Sequence, residues 1–355
     1  PAAGCAEGGG RDWGGPTPGA GGAGALVLGL GAEKGGRLWL ANGTGADRVA
    51  MSILHDGQYV TLTGDQIGCL LAHYALTARP WSRTDRKPLV LSSIVSTAML
   101  GAIGTHTGVR AEQTLTGHKW IHARAKALDA EGYELVLGYE EALGYAVGPV
   151  IRDKDGISAA VFAAEMAAWC AERGRTIVDE LERAWRTYGM YLNKQVSWVL
   201  PGTDGAAQIQ AAMELARTAP PTTLAGLAVV ATTDLRAGTR TANGDTTTAD
   251  LPPANLVIFE LDGGHRVMLR PSGTEPKLQQ YFDLRVEVAA AETLDVARAR
   301  GHPLLARLAP ALASALRPAA PPPRRVRPSL HSRRPHPLHP PSPSLTPLRV
   351  SDAPD

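Results

Sequence analysis

Val267–Val288 reads VMLRPSGTEPKLQQYFDLRVEV, a strand, a stiff loop and a second strand. In the second strand Phe282, Leu284, Val286 and Val288 alternate with Asp283, Arg285 and Glu287, the period of two expected of a half-buried strand. Val267 to Leu269 is strand-like on the other side, so the pair predicts a hairpin presenting Arg270–Lys277 at a sheet edge. The composition of that loop (RPSGTEPK) suits a phosphate. Arg270 and Lys277 bring positive charge, Ser272 and Thr274 bring hydroxyl donors, and Gly273 lets the backbone curl its N–H groups inward. Pro271 and Pro276 stiffen the loop and lower the cost of ordering it around a dianion.

The rest of the chain bounds what this cradle can belong to. With 355 residues, two or three ordinary domains fit, because a single core rarely grows past roughly 250 residues. Hydrophobic content of 44% and charged content of 20% are those of a globular protein, and a net charge of +2 implies no electrostatic partner by itself. Cys5, Cys69 and Cys170 are far apart and form no metal or disulfide pattern, which favours a reducing cytoplasm. No run approaches about 18 apolar residues, so neither a transmembrane span nor a signal peptide is expected. The chain opens on Pro1 in a Gly-rich run, the look of a fragment.

Composition shifts divide the chain. Residues 1–24 are a Gly-rich segment without core-forming residues, and residues 317–355 are rich in Pro, Arg, His and Ser; both predict disorder. Residues 25–86 carry strands at Arg37–Ala41 and Val49–Leu54, a hairpin turn at Asp56-Gly57, and a helix N-capped by Thr63. A loop with Pro80 and Pro88 then leads to residues 87–190, where a buried strand (PLVLSSIV) opens an alternation of helices and strands, an α/β pattern. The helix after Gly156 is expected to bury Ile157, Ala160, Val161, Ala164, Ala167 and Ala168 on one face. Residues 191–316 read as strand, helix, strand, a polar loop around Thr239–Asp250, further strands and a terminal helix.

Other polar constellations lie upstream. GYEEALGY (Gly138–Tyr145) places Glu140 and Glu141 at the end of a short apolar strand, and such carboxylates suit vicinal sugar hydroxyls. RDKDG (Arg152–Gly156) sets Lys154 between two aspartates, either as a short-range proton donor or as an ordinary solvated charge. TGHKWI (Thr116–Ile121) sets His118 and Lys119 after a glycine, a pair that is usually just surface.

In this order and spacing, GADR at Asp47, LTGDQIG at Leu62–Gly68, TGHKWI, GYEEALGY, RDKDG and RPSGTEPK resemble the α-D-phosphohexomutase family, from about Ala25 to Ser314. The resemblance implies phosphohexomutase-like α/β domains with mixed sheets and a C-terminal α+β domain like that of the TATA-box-binding protein. It implies an intramolecular phosphotransferase moving phosphate between C1 and C6, or the pentose equivalents, with a sugar bisphosphate as intermediate and activator. Glu140 and Glu141 then match the sugar-reading loop, although Ala142 stands where many members have serine. Lys154 matches a lysine that assists proton transfer. His118 and Lys119 match a loop facing substrate, where this branch more often has an aromatic in place of His118. Arg270, Ser272, Gly273, Thr274 and Lys277 match the phosphate loop without a break.

Two departures stand against that pattern. The family's magnesium loop reads DPDADR, whereas this chain has Gly43-Thr44-Gly45-Ala46-Asp47-Arg48, which leaves Asp47 alone for Mg²⁺ and Arg48 for substrate. The domain carrying the phosphorylated serine has no counterpart among the residues given. Glycines clustered at Gly29–Gly45 read as lost positions, since Asp to Gly and Ala to Gly are single changes at a codon's second base. The expected activity is phosphoglucomutase or phosphomannomutase chemistry, with this fragment inactive alone. The alternative is a non-catalytic binder of sugar phosphates. Nucleic acid is not an expected partner, because the basic tail lacks stacking aromatics; the sequence sets no oligomeric state.

Overall fold

A computed structural model describes residues 36–78, 85–200, 204–273 and 275–317. The expectations for residues 1–24 and for the tail beyond Arg317 lie outside them, as does Thr274. All described residues fall in one compact unit. Among them no helix is long and apolar enough to cross a membrane, and Cys69 and Cys170 are free and buried.

Three sheets build it. The first is an antiparallel meander of β1 (Leu38–Asn42), β2 (Val49–His55) and β3 (Gln58–Thr61). Asp56 and Gly57 both take positive φ, 48° and 77°, so the expected two-residue turn closes β2 on β3 with His55 opposite Gln58. Helix α1 (Gly64–Ala78) follows, and Thr63 caps it reciprocally: its hydroxyl accepts from the Gln66 amide at 3.2 Å while the Gln66 side chain accepts from the Thr63 amide at 2.9 Å.

The second sheet runs β5-β4-β6-β7, from β4 (Lys87–Ser93), β5 (Arg110–Thr114), β6 (Tyr133–Glu140) and β7 (Gly144–Val147). β5, β4 and β6 are parallel and β7 turns back antiparallel on β6. Helices α2 (Met99–Thr107) and α3 (His118–Asp129) supply the crossovers, and α4 (Gly156–Ala171) and α5 (Ile177–Tyr188) follow β7. β4 is central, and its Leu89–Ser93 run is wholly buried, as a strand covered on both faces must be. Pro88 belongs to this strand and not to a loop; it faces only β6, because pairing with β5 begins at Leu89, so its missing N–H breaks no ladder there. Helix α1 also packs against β6, so it joins this sheet although the sequence reading set its residues before the boundary at 86.

The third sheet has eight strands: β8 (Met190–Val199), β9 (Thr223–Leu224), β10 (Leu227–Asp234), β11 (Thr239–Ala242), β12 (Asp245–Thr248), β13 (Val257–Leu261), β14 (His265–Pro271) and β15 (Lys277–Val286). The order is β12-β11-β10-β13-β14-β15-β8, with β9 paired to β10, and α6 (Gly205–Thr218) and α7 (Leu294–Ala315) complete the region. The β14–β15 hairpin is as expected, but it lies inside the sheet, with β13 on one side and β8 on the other, and not at its edge. The polar stretch Thr239–Asp250 forms the β11–β12 hairpin and not a loop, closed by Asn243-Gly244 at φ 53° and 88°.

Helix α4 turns the other way from expectation. Ala159, Phe162, Ala163, Met166 and Cys170 are buried, while Ile157 and Val161 are 61% and 66% exposed. With alanine all round this helix, the bulk of Phe162 and Met166 decides which stripe meets the core.

Candidate functional site

Three loops meet where β6 ends. Glu140 closes β6, and its Oε1 accepts the Gly117 amide at 2.6 Å. Gly117 stands at the entry to α3 with φ 118°, a conformation that reserves the position for glycine. Burial raises the Glu140 carboxyl, and the positive charges of Lys154, Arg48 and Arg270 oppose it. Those cations come from the RDKDG loop, the GADR loop and β14, so sequence motifs more than 200 residues apart act on one carboxylate.

Glu141 is held from below. Ser93 and Ser96, at the carboxyl end of β4, donate to its Oε2 at 3.0 and 3.2 Å, and the Glu141 amide donates to Ser96 Oγ at 3.1 Å. Burial raises this carboxyl too, and the Glu140 charge adds to the effect. The carbonyl oxygen of Glu141 lies 1.9 Å from where a Cβ on Gly64 would stand, and a Cβ on Gly68 would enter the Tyr139 ring at 2.4 Å. The two glycines of LTGDQIG therefore let α1 lie directly on the backbone of β6.

The GADR loop folds tightly: the Gly43 amide donates to the Arg48 carbonyl at 3.1 Å and the Gly156 amide to the Ala46 carbonyl at 3.0 Å. It thus abuts the RDKDG loop, and Lys154 Nζ sits 3.3 Å from Asp47 Oδ2 and 3.8 Å from Asp153 Oδ1. Asp47 also lies 3.9 Å from Arg48 Nε. These residues do not fit magnesium. The GADR loop offers one carboxylate, Asp47, which is ion-paired with Lys154, and no cluster of three ligating side chains occurs among the described residues.

His118 is not the surface residue its sequence suggested. Its side chain is 2% exposed, Nε2 lies 3.7 Å from Glu140 Oε2, and neither ring nitrogen has a hydrogen-bond partner within normal geometry. Burial pushes its pKa down to about 4; closeness to the Gly144 backbone, short of a well-formed hydrogen bond, works the other way, and His122 adds to the fall. Lys119, by contrast, is exposed, its ammonium 5.5 Å from the Trp120 ring centroid.

On the hairpin, the Tyr281 hydroxyl donates to Gln279 Oε1 at 3.1 Å; burial and the Glu141 and Glu140 charges raise it, and the positive charge of Arg270 opposes them. Ser272 donates its amide to the Lys277 carbonyl at 2.8 Å, closing the loop. Gly273 avoids the left-handed region, and a Cβ there would meet nothing within 4 Å, so its value is open space and not a special backbone turn. Ser93, Ser96, Gly117 and Tyr281 escaped the sequence reading. The signal for the serines was their place at the carboxyl end of a buried parallel strand, where α/β sheets bind ligands.

A groove of about 1240 Å³ lies elsewhere, lined by Ile94, Leu115, Trp120, Leu251, Arg240 and Glu260 among others. Apart from Trp120 it includes none of the residues above, and its arginines are taken: Arg240 pairs with Glu260 at 2.8 Å, Arg124 with Glu112 at 2.6 Å and Arg266 with Asp283 at 2.8 Å.

Residues 63–188 match the family described as phosphoglucomutase/phosphomannomutase, alpha/beta/alpha domain III. Over 249 residues the chain is 33% identical to a phosphoglucomutase of Staphylococcus epidermidis, covering 68% of this chain and 44% of that protein. Over 258 residues it is 31% identical to the human phosphopentomutase, covering 70% and 42%. Among solved structures, the Paramecium phosphoglucomutase pp63/parafusin superposes with a TM-score of 0.54 at 18% identity, over 84% of this chain and 50% of that one, a likeness of fold. The chain thus spans about half the length of the curated relatives it matches.

Proposed function

Because this chain belongs to the α-D-phosphohexomutase family, we propose that it forms the sugar- and phosphate-gripping half of a phospho-sugar mutase acting on hexose or pentose phosphates. The carrying observation is geometric: the GADR and RDKDG loops pack together with Lys154 Nζ 3.3 Å from Asp47 Oδ2, and Ser96 ties Glu141 to Arg266 on the strand that carries Arg270. Arg270, Ser272 and Lys277, with Thr274, clamp the phosphate that does not react. Gly273 leaves the room for it. Glu140 and Glu141 accept from ring hydroxyls, Lys119 reaches the substrate from the rim, and His118 lies behind Glu140.

Lys154 is the group placed to move a proton at the reacting oxygen, and Arg48 to contact the phosphoryl group. Positioning and charge neutralisation supply the acceleration in this class of chemistry. Asp47 is engaged by Lys154 and so offers no free carboxylate to magnesium. In the family reading the phosphoryl donor is a serine phosphate, with a sugar bisphosphate as activator.

Calorimetry with glucose 6-phosphate and ribose 5-phosphate tests it. Arg270→Ala or Lys277→Ala should weaken binding about 10- to 100-fold, the loss of one charge-assisted contact of roughly 1.5–3 kcal/mol. Unchanged affinity in both variants refutes the site.

A further inference from the structure

The two substrate loops sit in different sheets, and one buried polar chain joins them. Asp283 on β15 has 3% of its side chain exposed. Its Oδ1 accepts from Thr97 Oγ1 at 2.9 Å and Asn193 Nδ2 at 2.6 Å, and its Oδ2 from the Ala98 amide at 2.8 Å. Directly across the ladder, Arg266 on β14 donates to the same Oδ2 through Nε at 3.2 Å and Nη2 at 2.8 Å. Arg266 Nη2 also donates to the Ser96 carbonyl at 2.8 Å, and Nη1 to Gln113 Oε1 at 2.9 Å. The segment Ser96–Ala98 is thus gripped by the strands that carry Arg270 and Lys277. From its other side, Ser96 Oγ holds Glu141, and the Thr97 amide donates to Asp65, which also accepts from Tyr139.

We infer that Asp283 and Arg266 are positioning residues that fix the distance between the sugar-reading and phosphate-binding loops through Ser96–Ala98. The inference rests on the sugar-phosphate reading above. A packed apolar contact would also join the sheets, and apolar replacement of a buried ion pair is often no less stable. What a carboxylate with five donors adds is direction: each hydrogen bond admits a narrow range of angles, so the sheets meet in one register. A ligand bridging both loops gains from that spacing as a bivalent ligand gains from a matched linker. A ligand touching one loop gains nothing.

The experiment compares two probes on the full chain, glucose 6-phosphate, which needs both loops, and inorganic phosphate, which needs only Arg270–Lys277. Asp283→Asn keeps the shape but removes the charge and one acceptor, and should weaken glucose 6-phosphate about tenfold while inorganic phosphate shifts less than about twofold. Thr97→Val, a milder change that spares the ion pair, should weaken the sugar phosphate alone by about threefold. Thermal melting confirms that each variant is folded at the assay temperature. Parallel loss for both probes, or no loss for either in both variants, overturns the positioning role. Wild-type protein that holds phosphate but not the sugar phosphate refutes the underlying reading, and the positioning role with it.

Discussion

Acidification should reveal His118, because its imidazole is buried neutral with no partner on either nitrogen. Its pKa lies at about 4 in the folded protein against an ordinary value of 6.5. The sign follows from proton uptake: between these values the unfolded chain binds a proton that the folded chain refuses, so stability falls as pH falls. Glu140, His122, Asp153 and Lys154 face the ring, and none replaces the lost hydration. A gap of about 2.5 units at 1.36 kcal/mol each amounts to about 3 kcal/mol in full, of which roughly 2.5 kcal/mol is spent by pH 4.5. His118→Phe keeps the ring volume and removes the titration. Urea unfolding of both proteins at pH 7.5, 6, 5 and 4.5 should show the variant at least as stable at neutral pH, since it buries no orphaned nitrogen. Its advantage should then widen by about 2–3 kcal/mol as pH drops. Curves that stay parallel within about 0.5 kcal/mol refute the assignment of a neutral, depressed His118.

Two further perturbations test the frame. Gly64→Ala drives a Cβ into the Glu141 carbonyl and should cost about 1–3 kcal/mol while weakening glucose 6-phosphate; wild-type stability in urea unfolding would show that α1 does not press on β6 as described. Neither Gly43 nor Gly45 needs positive φ, and a Cβ meets no atom within 4 Å at the first and only the Asp47 carboxyl, Oδ1 at 3.1 Å and Cγ at 3.6 Å, at the second. Gly43→Asp with Gly45→Asp should therefore raise Mn²⁺ affinity at least about tenfold, read by electron paramagnetic resonance of free Mn²⁺, and no gain would mean that the loop has lost the shape of a cation site.

What could be read from the sequence was whatever local chemistry alone dictates. Asp56-Gly57 names its turn, Thr63 with Gln66 names its cap, and the glutamates and the RPSGTEPK loop announce themselves by unusual company. What stayed hidden depends on neighbours distant in the chain. Period-two alternation sent Asp283 outward with Arg285 and Glu287, yet it is buried, because Thr97, Ala98, Asn193 and Arg266 replace the water it gives up. Asn243-Gly244 carried a hairpin signal as clear as Asp56-Gly57, masked by a stretch of threonines with little to bury. In α4 the alanines traced a stripe only half of which meets the core: Ala160 and Ala167 pack against it, while Ala164 and Ala168 are exposed.

The contact of α1 with the end of β6 leaves no freedom in how closely the two elements approach. Where Gly64 and Gly68 bring main chain against main chain and ring, no side chain of variable size intervenes to widen or narrow the gap. Sequence divergence has to leave this seam as it is and act elsewhere.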